Sequence, residues 1–309
     1  MAKDLPTNPR LTKQISDATI KNVIDGIVEL ITNCDDSYRN LEKKGVKING
    51  LIEIYVNRKK GGICEKLCIK DYAQGMTKDK LEEAIEFAGE TSGFLSGESV
   101  RGLFGRGLKE TIIAMGEGEI NTIKDGILSR TRIWCDLKTK SPQYDDQMLN
   151  NPLKTNKSNG TEISINITNP KFTIPEFDTF KTQLSKHYAL RDILATINRN
   201  VQLTFESISN IKSMKRTSPV TFTYPDGEKI LSKKVEITGL NEILQLDIYE
   251  SSIQLDTPRY NPYGLAGIMI KTKSATLDNQ LFKFDSDPCG LYFFGSAICD
   301  GIEDRLRHG

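Results

Sequence analysis

The chain has 309 residues, a net charge of +1 and 27% charged residues, so its overall charge gives no reason to expect attraction to nucleic acid or to an anionic membrane. No run approaches the roughly 18 apolar residues that a membrane-spanning helix requires, and the N-terminal residues lack the apolar core of a secretory signal. The six cysteines are spread through the chain, which is typical of reduced thiols. These features predict a cytoplasmic protein of one large or two medium domains.

The predicted elements up to residue 207 are helices interleaved with strands. One long amphipathic helix is predicted over residues 11–41, and Thr77 is the predicted N-cap of a second helix over residues 78–88. The Gly- and Ser-rich segment 89–107 is predicted to be a mobile loop that leads into a helix over residues 107–115. Strands are predicted from β-branched or alternating apolar runs, and they lie at residues 51–58, 63–70, 119–124, 128–137, 161–167 and 201–205.

The later part of the chain is less regular. Residues 138–159 are polar and predict an irregular loop, whereas residues 175–186 predict a helix. The polar segment 207–218 is the predicted boundary, which gives domains 1–207 and 208–309. The second domain is expected to be a small α+β unit, and the chain is expected to be the N-terminal part of a longer protein. Its predicted elements are strands at residues 220–224 and 267–273 and a helix from about Tyr292.

Polar residues recur along one face of the first long helix. At about 100° per residue they fall within roughly 40° of one direction, and apolar residues occupy the opposite arc. An ordinary solvated face would explain such a stripe. However, this stripe contains no lysine, whereas solvated faces usually mix both signs of charge. Its members are Asn22, Asp25, Glu29, Asn33 and Asp36.

The segment from Glu29 to Ser37 resembles the Glu-x-x-x-Asn-x-x-Asp-Ala signature of the GHKL ATPase superfamily, with Ser37 in place of the common Ala. That superfamily includes the gyrase B subunit, MutL, histidine kinases, a heat-shock chaperone and MORC proteins. The resemblance implies that Glu29 activates the attacking water, that Asn33 binds Mg²⁺, and that Asp36 belongs to the nucleotide-binding residues. These residue types suit the chemistry, because Mg²⁺ prefers hard oxygen ligands and a carboxylate can accept a proton from water.

Two further short motifs follow in the order of the same superfamily. Asp71, Gly75 and Met76 resemble its Asp-x-Gly-x-Gly motif, in which the Asp accepts a hydrogen bond from the adenine amino group; Tyr72 and Ala73 depart from that pattern. A surface turn after a strand is the ordinary alternative for this hexapeptide. Thr161, after Gly160, resembles the late Gly-Thr pair whose hydroxyl supports the adenine-binding Asp.

A glycine-rich segment at residues 101–109 resembles the phosphate-binding loop of the superfamily, and the segment before it resembles the lid. Glycines before a helix let backbone N–H groups point at phosphate, although an ordinary flexible loop would look similar. A Walker A loop is excluded, because leucine rather than lysine follows Gly107. The predicted phosphate-binding residues are Gly102, Leu103, Phe104, Gly105, Arg106, Gly107, Leu108 and Lys109.

The resemblance implies an α+β fold: a Bergerat-type two-layer sandwich, with helices on one face of a mixed, mainly antiparallel sheet, followed by a smaller α+β transducer domain. In such transducers a basic residue reaches the γ-phosphate, and Lys271 and Lys273 are the catalytic candidates; two solvated lysines at a strand end are the alternative. A histidine kinase is disfavoured, because no histidine precedes His187.

The functional prediction is an ATPase that uses ATP and Mg²⁺ and closes as a homodimeric clamp, most like prokaryotic MORC-like or chaperone-like members. Two alternatives are a nucleotide-sensing scaffold for a partner protein or nucleic acid, and a DNA-repair or topoisomerase-like ATPase. A part in defence against foreign DNA is the weakest implication of the resemblance.

Overall fold

A computed structural model of the chain describes residues 10–86, 107–136, 138–209, 212–237, 242–273 and 275–300. Contacts divide the chain into two compact units. The first unit is the chain up to Phe180 together with Ile197–Pro219, and the second is Lys181–Thr196 together with the chain from Val220 onward. This division differs from the predicted boundary after residue 207, because the polar segment Ser213–Pro219 pairs with strand Arg199–Ile208 and so extends the first unit's sheet.

The first unit is built on a nine-stranded sheet with helices. Its helices are α1 (Arg10–Thr19), α2 (Val23–Lys43), α3 (Lys78–Ile85), α4 (Gly107–Met115), α5 (Asp146–Leu149) and the start of α6 (Phe177–Lys186). Its strands are β1 (Gly50–Arg58), β2 (Lys66–Asp71), β3 (Gly116–Lys124), β4 (Ile127–Cys135), β5 (Pro142–Tyr144), β6 (Leu153–Lys154), β7 (Gly160–Ile167), β8 (Arg199–Ile208) and β9 (Ser213–Pro219).

The strand order of this sheet is β5-β4-β3-β7-β2-β1-β8-β9, with β6 paired to β4. β1 and β8 run parallel, whereas the other neighbouring strands are antiparallel. Most inward-facing positions of β1, β2 and β8 are apolar and buried, with Asp71 at the end of β2 the buried polar exception, and polar residues such as Glu53 and Lys70 alternate with them on the opposite face. The predicted sandwich, with helices on one face of a mixed sheet, is confirmed.

Helix α2 covers the inner face of this sheet because its apolar residues fall on one side of the helix. Each such buried side chain contributes about 1.5–3 kcal/mol. Gly26 lets α4 approach closely, since a Cβ there would lie only 2.8 Å from the Thr111 side chain. The buried apolar residues of α2 are Val23, Ile24, Ile27, Val28, Leu30, Ile31, Cys34 and Tyr38.

The single long helix predicted over residues 11–41 is instead two helices that break at residues 20–22. Asn22 is the N-cap of α2: its side chain accepts from the Asp25 amide at 3.0 Å, and the Asp25 carboxylate accepts from the Asn22 amide at 3.2 Å. This reciprocal capping box satisfies amides at the start of α2. Two residues of the predicted polar stripe are therefore used to begin the helix.

The second unit is built on a five-stranded sheet in the order β10-β11-β14-β12-β13. Strands β12 and β14 run parallel, and the other pairs are antiparallel. Leu255, Ala266, Leu281 and Phe294 form a buried cluster in this unit. Its elements are the end of α6, α7 (Arg191–Ala195), β10 (Glu228–Ile237), β11 (Glu242–Glu250), β12 (Gly267–Lys271), β13 (Thr276–Gln280) and β14 (Phe293–Ile298).

Three further sequence predictions about secondary structure were wrong. The helix expected from about Tyr292 is strand β14, because this short apolar run pairs with β11 on one side and β12 on the other. Residues 220–224 do not form a strand, although Val220 and Phe222 are buried in alternation; the Phe222 amide instead donates to the Leu194 carbonyl. The polar loop 138–159 contains the short elements β5, α5 and β6.

Among the helices of the described ranges, none combines the length and the apolar character needed to cross a bilayer.

Candidate functional site

Glu29 and Asn33 lie one turn apart on α2, and both are half-buried. Glu29 lies against the start of α4, since a Cβ added at Gly107 would overlap its carboxylate. Burial raises the pKa of Glu29, and the nearby charges of Glu110 and Asp25 raise it further. A carboxylate of raised pKa is a better proton acceptor, as a general base requires. Asp36, one further turn along, is buried.

Lys109 lies two residues into α4 and is buried. Its ammonium donates to the Ala84 carbonyl at 3.1 Å and to the Glu86 carbonyl, at the C-terminal end of α3. Burial lowers its pKa to about 8, against the opposing effect of Glu110 and Glu86. The structure thus places this ammonium at the C-terminal end of α3, where the helix dipole stabilises a positive charge. Its predicted contact with phosphate stays a prediction.

Asp71 is the last residue of β2, and only 4% of it is exposed. Its carboxylate accepts hydrogen bonds from the Ala73 amide at 2.9 Å and from the Thr161 amide at 3.3 Å. Burial raises its pKa to about 6, while the two amides and the adjacent Cys34 thiol act in the opposite direction. The carboxylate is therefore held in one orientation, and it is ionised at neutral pH.

The turn after Asp71 is fixed from two sides. The Tyr72 amide donates to the Tyr38 hydroxyl at 2.9 Å, and that hydroxyl donates to the Leu51 carbonyl at 2.6 Å. The Tyr72 side chain bonds to Glu53, which lies on the polar face of the sheet. The Tyr72 side chain, which departs from the superfamily pattern, therefore lies on the face of the sheet opposite to α2.

Gly75, Gly160 and Thr161 meet at this turn. Gly75 has φ +63° and packs against the Ile123 carbonyl. Gly160 has φ +146°, and a Cβ there would collide with the Asp71 carbonyl and lie 2.9 Å from the Tyr72 Cα. The structure thus brings Thr161, which is distant in sequence, beside the local segment that contains Asp71, Gly75 and Met76. Both Gly75 and Gly160 are required by close backbone approach.

Replacing Gly75 with alanine is expected to lower the free energy of unfolding by about 3 kcal/mol or more, since the left-handed backbone alone costs about 1–2 kcal/mol and the new methyl collides with the Ile123 carbonyl. Gly61→Ala is the matched control: its φ is +80°, but nothing lies within 4 Å of the added Cβ. Chemical denaturation measures both. Equal losses in the two variants would contradict the close packing of Gly75.

Sequence reasoning missed three residues of this site. Cys34 and Tyr38 follow the Glu/Asn motif on α2 and contact Asp71 and its turn. Thr122, on β3, is fully buried and its hydroxyl accepts from the Met76 amide at 2.7 Å. The sequence did contain a signal for Thr122, because it takes the next inward-facing position of β3 after Ile120, on a face that is otherwise buried and apolar.

The predicted phosphate-binding residues divide into two groups. Gly107, Leu108 and Lys109 form the first turn of α4. Gly102, Leu103, Phe104, Gly105 and Arg106 lie outside the described residues, as does nearly all of the predicted lid.

The two lysines predicted to act from a transducer belong to the second unit, and each has an acidic partner there. The Lys271 ammonium lies 2.8 Å from the Asp192 carboxylate, which also accepts from the Tyr224 hydroxyl at 2.5 Å. Lys273 is exposed and lies 2.7 Å from Asp300. Their predicted role at the γ-phosphate stays a prediction.

A comparison with curated proteins gives no match. Residues 22–165 match a family model described as histidine kinase-, DNA gyrase B-, and HSP90-like ATPase. The matched segment contains α2, the turn after Asp71, α4 and Thr161, but not Lys271 or Lys273. Residues 22–165 of this chain are thus similar to a GHKL-type ATPase domain.

Proposed function

We propose that the first unit binds ATP with Mg²⁺ and hydrolyses it slowly. The observation that carries this proposal is the buried Asp71 carboxylate, which is fixed by two backbone amides beside Thr161 and lies on the same side of the sheet as α2. The family match over residues 22–165 supports it independently.

Asp71 is suited to the purine end of the nucleotide. An ionised carboxylate accepts hydrogen bonds and donates none, so it favours an exocyclic amino group such as that of adenine. Gly75 and Gly160 keep side chains out of the turn that surrounds it. Burying an ionised carboxylate without such a ligand costs free energy, and the raised pKa of Asp71 is consistent with that cost.

Glu29 and Asn33 are suited to the phosphate end. The Asn33 amide oxygen is a hard ligand for Mg²⁺, which when bound would neutralise charge on the phosphates. Glu29, one turn away, would accept a proton from the attacking water. The α4 amides that begin at Gly107, beside the Glu29 carboxylate, would face phosphate oxygens.

We further propose that nucleotide binding favours a homodimeric clamp and that the second unit acts as its transducer. Lys271 is the better candidate to reach the γ-phosphate, because its side chain is 13% exposed and oriented by Asp192, whereas that of Lys273 is 86% exposed. Size-exclusion chromatography with a non-hydrolysable ATP analogue tests the dimer. A chain that binds ATP without turnover or dimerisation would instead be a nucleotide-sensing scaffold.

Titration calorimetry with ATP, with Mg²⁺ and with EDTA, tests the site itself. The wild type is expected to bind ATP more tightly with Mg²⁺ than with EDTA, by about tenfold or more. Asn33→Ala is expected to bind ATP with the same affinity under both conditions. Asn166→Ala is the control, because Asn166 lies on β7 and bonds to Glu117 on the polar face. Absence of ATP binding by the wild type would overturn the proposed function, whereas an unchanged Mg²⁺ effect in Asn33→Ala would overturn only the role of Asn33.

A further inference from the structure

The five-stranded sheet of the second unit has one apolar face whose side chains stay partly exposed. Residues that pair directly across a sheet point to the same side, and neighbours along a strand alternate between the two sides. The registers of the five strands therefore define which side chains share this apolar face. Its Leu231 is 38% exposed, and its other large aliphatic residues are half-buried. These residues are Leu231, Leu244, Leu246, Ile248, Ile268 and Ile270.

The opposite face of this sheet carries the core of the second unit. Phe294 on β14 points to that side and packs with the buried Leu255, Ala266 and Leu281. Strands β10 and β11 nevertheless turn polar side chains to the side of the core and aliphatic ones to the apolar face, the reverse of the usual arrangement. A contiguous apolar surface of this kind is typical of an interaction site. The polar side chains are Ser232, Lys234, Gln245 and Asp247.

One row of side chains crosses the apolar face from a basic edge to an acidic edge. In sheet order, the row consists of Lys233, Leu246, Ala297, Ile270 and Asp278, one from each strand. Four spacings of about 4.8 Å place the strands of the two charged residues about 19 Å apart. Within the part of the chain that the structure describes, neither Lys233 nor Asp278 forms an ion pair. The row therefore presents two opposite charges with aliphatic side chains between them.

This row is complementary to itself. A second copy of the chain, laid face to face and turned by 180° about an axis parallel to the strands, places its β13 over β10 and its β10 over β13. Each Lys233 then lies opposite the Asp278 of the other copy, and the aliphatic residues between them meet each other. A symmetric dimer uses the same surface on both subunits, and two sheets pack about 10 Å apart with their strands within about 30°.

We propose that the apolar face is a dimer interface at which two copies of this chain pack sheet against sheet, with Lys233 of each copy opposite Asp278 of the other. The contact requires no nucleotide, so this inference is separate from the ATP-dependent clamp. Five strands about 4.8 Å apart, each contributing about six residues of about 3.4 Å, outline roughly 480 Å² on each copy. About 1,000 Å² in total is the lower limit of a specific interface, so we expect a dissociation constant in the micromolar range.

A dimer formed through the edge of the same sheet would use β10 instead. That strand has an irregular register between Lys229 and Leu231, and it carries lysines at positions 229, 233 and 234. Irregular register and lysines on an edge strand both oppose the addition of another strand. The apolar face is therefore the better surface for a second copy.

Sedimentation velocity of the protein without nucleotide, in EDTA and from about 1 to 100 μM, measures this dimer directly. Leu246→Asp puts a charge at the centre of the apolar face and is expected to raise the dissociation constant by about 100-fold or more. Ile243→Asp is the matched control, because Ile243 is also an aliphatic residue of β11 and is 56% exposed, but it points to the opposite face. It is expected to keep the wild-type value within about threefold.

Charge reversal tests the orientation of the two copies. Lys233→Asp and Asp278→Lys are each expected to raise the dissociation constant by about tenfold, because like charges then face each other. The double variant is expected to return to within about threefold of the wild type, since the ion pair forms again with its signs reversed. Circular dichroism checks that each variant is folded, and the charge variants decide the question if Leu246→Asp is not.

A wild type that is monomeric without nucleotide over this concentration range would overturn the inference, even if an ATP analogue then induced a dimer. Wild-type dimerisation by a folded Leu246→Asp variant would also overturn it, as would a double charge variant no tighter than either single one. A nucleotide-free dimer that fails to bind ATP would support this inference and overturn the proposed function alone.

Discussion

Glu29→Gln is expected to lower the turnover of Mg-ATP by about 100- to 10,000-fold and to leave the affinity for ATP nearly unchanged. The glutamine has the shape of the glutamate and still fits against Gly107, but it cannot accept a proton from water. Glu29→Ala is expected to lose the same activity. Steady-state phosphate release and titration calorimetry measure the two quantities separately.

The control for this prediction is Glu117→Gln, which alters a glutamate that pairs with Arg132 on the polar face of the same sheet. Because Glu29 acts as a base only when ionised, and its pKa is raised, wild-type turnover should fall as the pH is lowered through that raised pKa. Turnover by Glu29→Gln equal to that of the wild type would remove Glu29 as the base. Loss of ATP binding in the same variant would show instead that the carboxylate contributes to the shape of the pocket.

Asp71→Asn is expected to lower the affinity for ATP by about 100-fold or more, so that binding is no longer measurable. At the same time it is expected to stabilise the ligand-free protein at pH 8. If the asparagine keeps its oxygen on the Ala73 and Thr161 amides, it presents an N–H donor to the adenine amino group. If it turns its oxygen toward adenine instead, the two amides lose their acceptor. The wild-type carboxylate has a pKa raised from 3.8 to about 6 by burial, so its ionised form is disfavoured in the folded protein.

The sign of the stability change follows from this raised pKa. The contribution of Asp71 to folding is fully present below pH 3.8 and is lost as the pH rises through about 6, so the ionised carboxylate costs up to about 3 kcal/mol at pH 8. Asparagine avoids that cost. We therefore expect Asp71→Asn to raise the free energy of unfolding by about 1–3 kcal/mol at pH 8 and to have little effect near pH 4.

Urea denaturation at the two pH values measures this change, and calorimetry from pH 5 to pH 8 measures the affinity of the wild type. Wild-type affinity for ATP should fall below about pH 6, where Asp71 takes up a proton and becomes a donor. If Asp71→Asn is less stable than the wild type at pH 8, the hydrogen bonds of the wild-type carboxylate stabilise the fold by more than its burial costs. An affinity for ATP that is equal in the variant and the wild type would remove Asp71 from the purine site.

The parts of the site that the sequence predicted are those encoded by local spacing. Glu29 and Asn33 are separated by one helical turn, so their common face follows from the helical period alone. Gly107 begins a helix in both the prediction and the structure. Asn22 and Asp25 share the same face but cap α2, because a capping box and a ligand stripe use the same residue types at the same spacing.

The parts that were missed depend on contacts between distant segments. Thr122 acquires its role from the pairing of β3 with β7 and from the turn at Met76, and no pattern within β3 specifies those neighbours. Strand β14 was mistaken for a helix because a short apolar run has no decisive period, and only its partners β11 and β12 make it a strand. The polar strand β9 likewise exists only because β8 offers it an edge.

A crystal structure of the protein with a non-hydrolysable ATP analogue and Mg²⁺ tests the central claim most directly. The expected result places the adenine amino group within hydrogen-bonding distance of the Asp71 carboxylate and the Asn33 side-chain oxygen on the metal, with the γ-phosphate near Glu29. A nucleotide bound elsewhere on the protein, or one whose phosphates rather than its purine lie at Asp71, would contradict it.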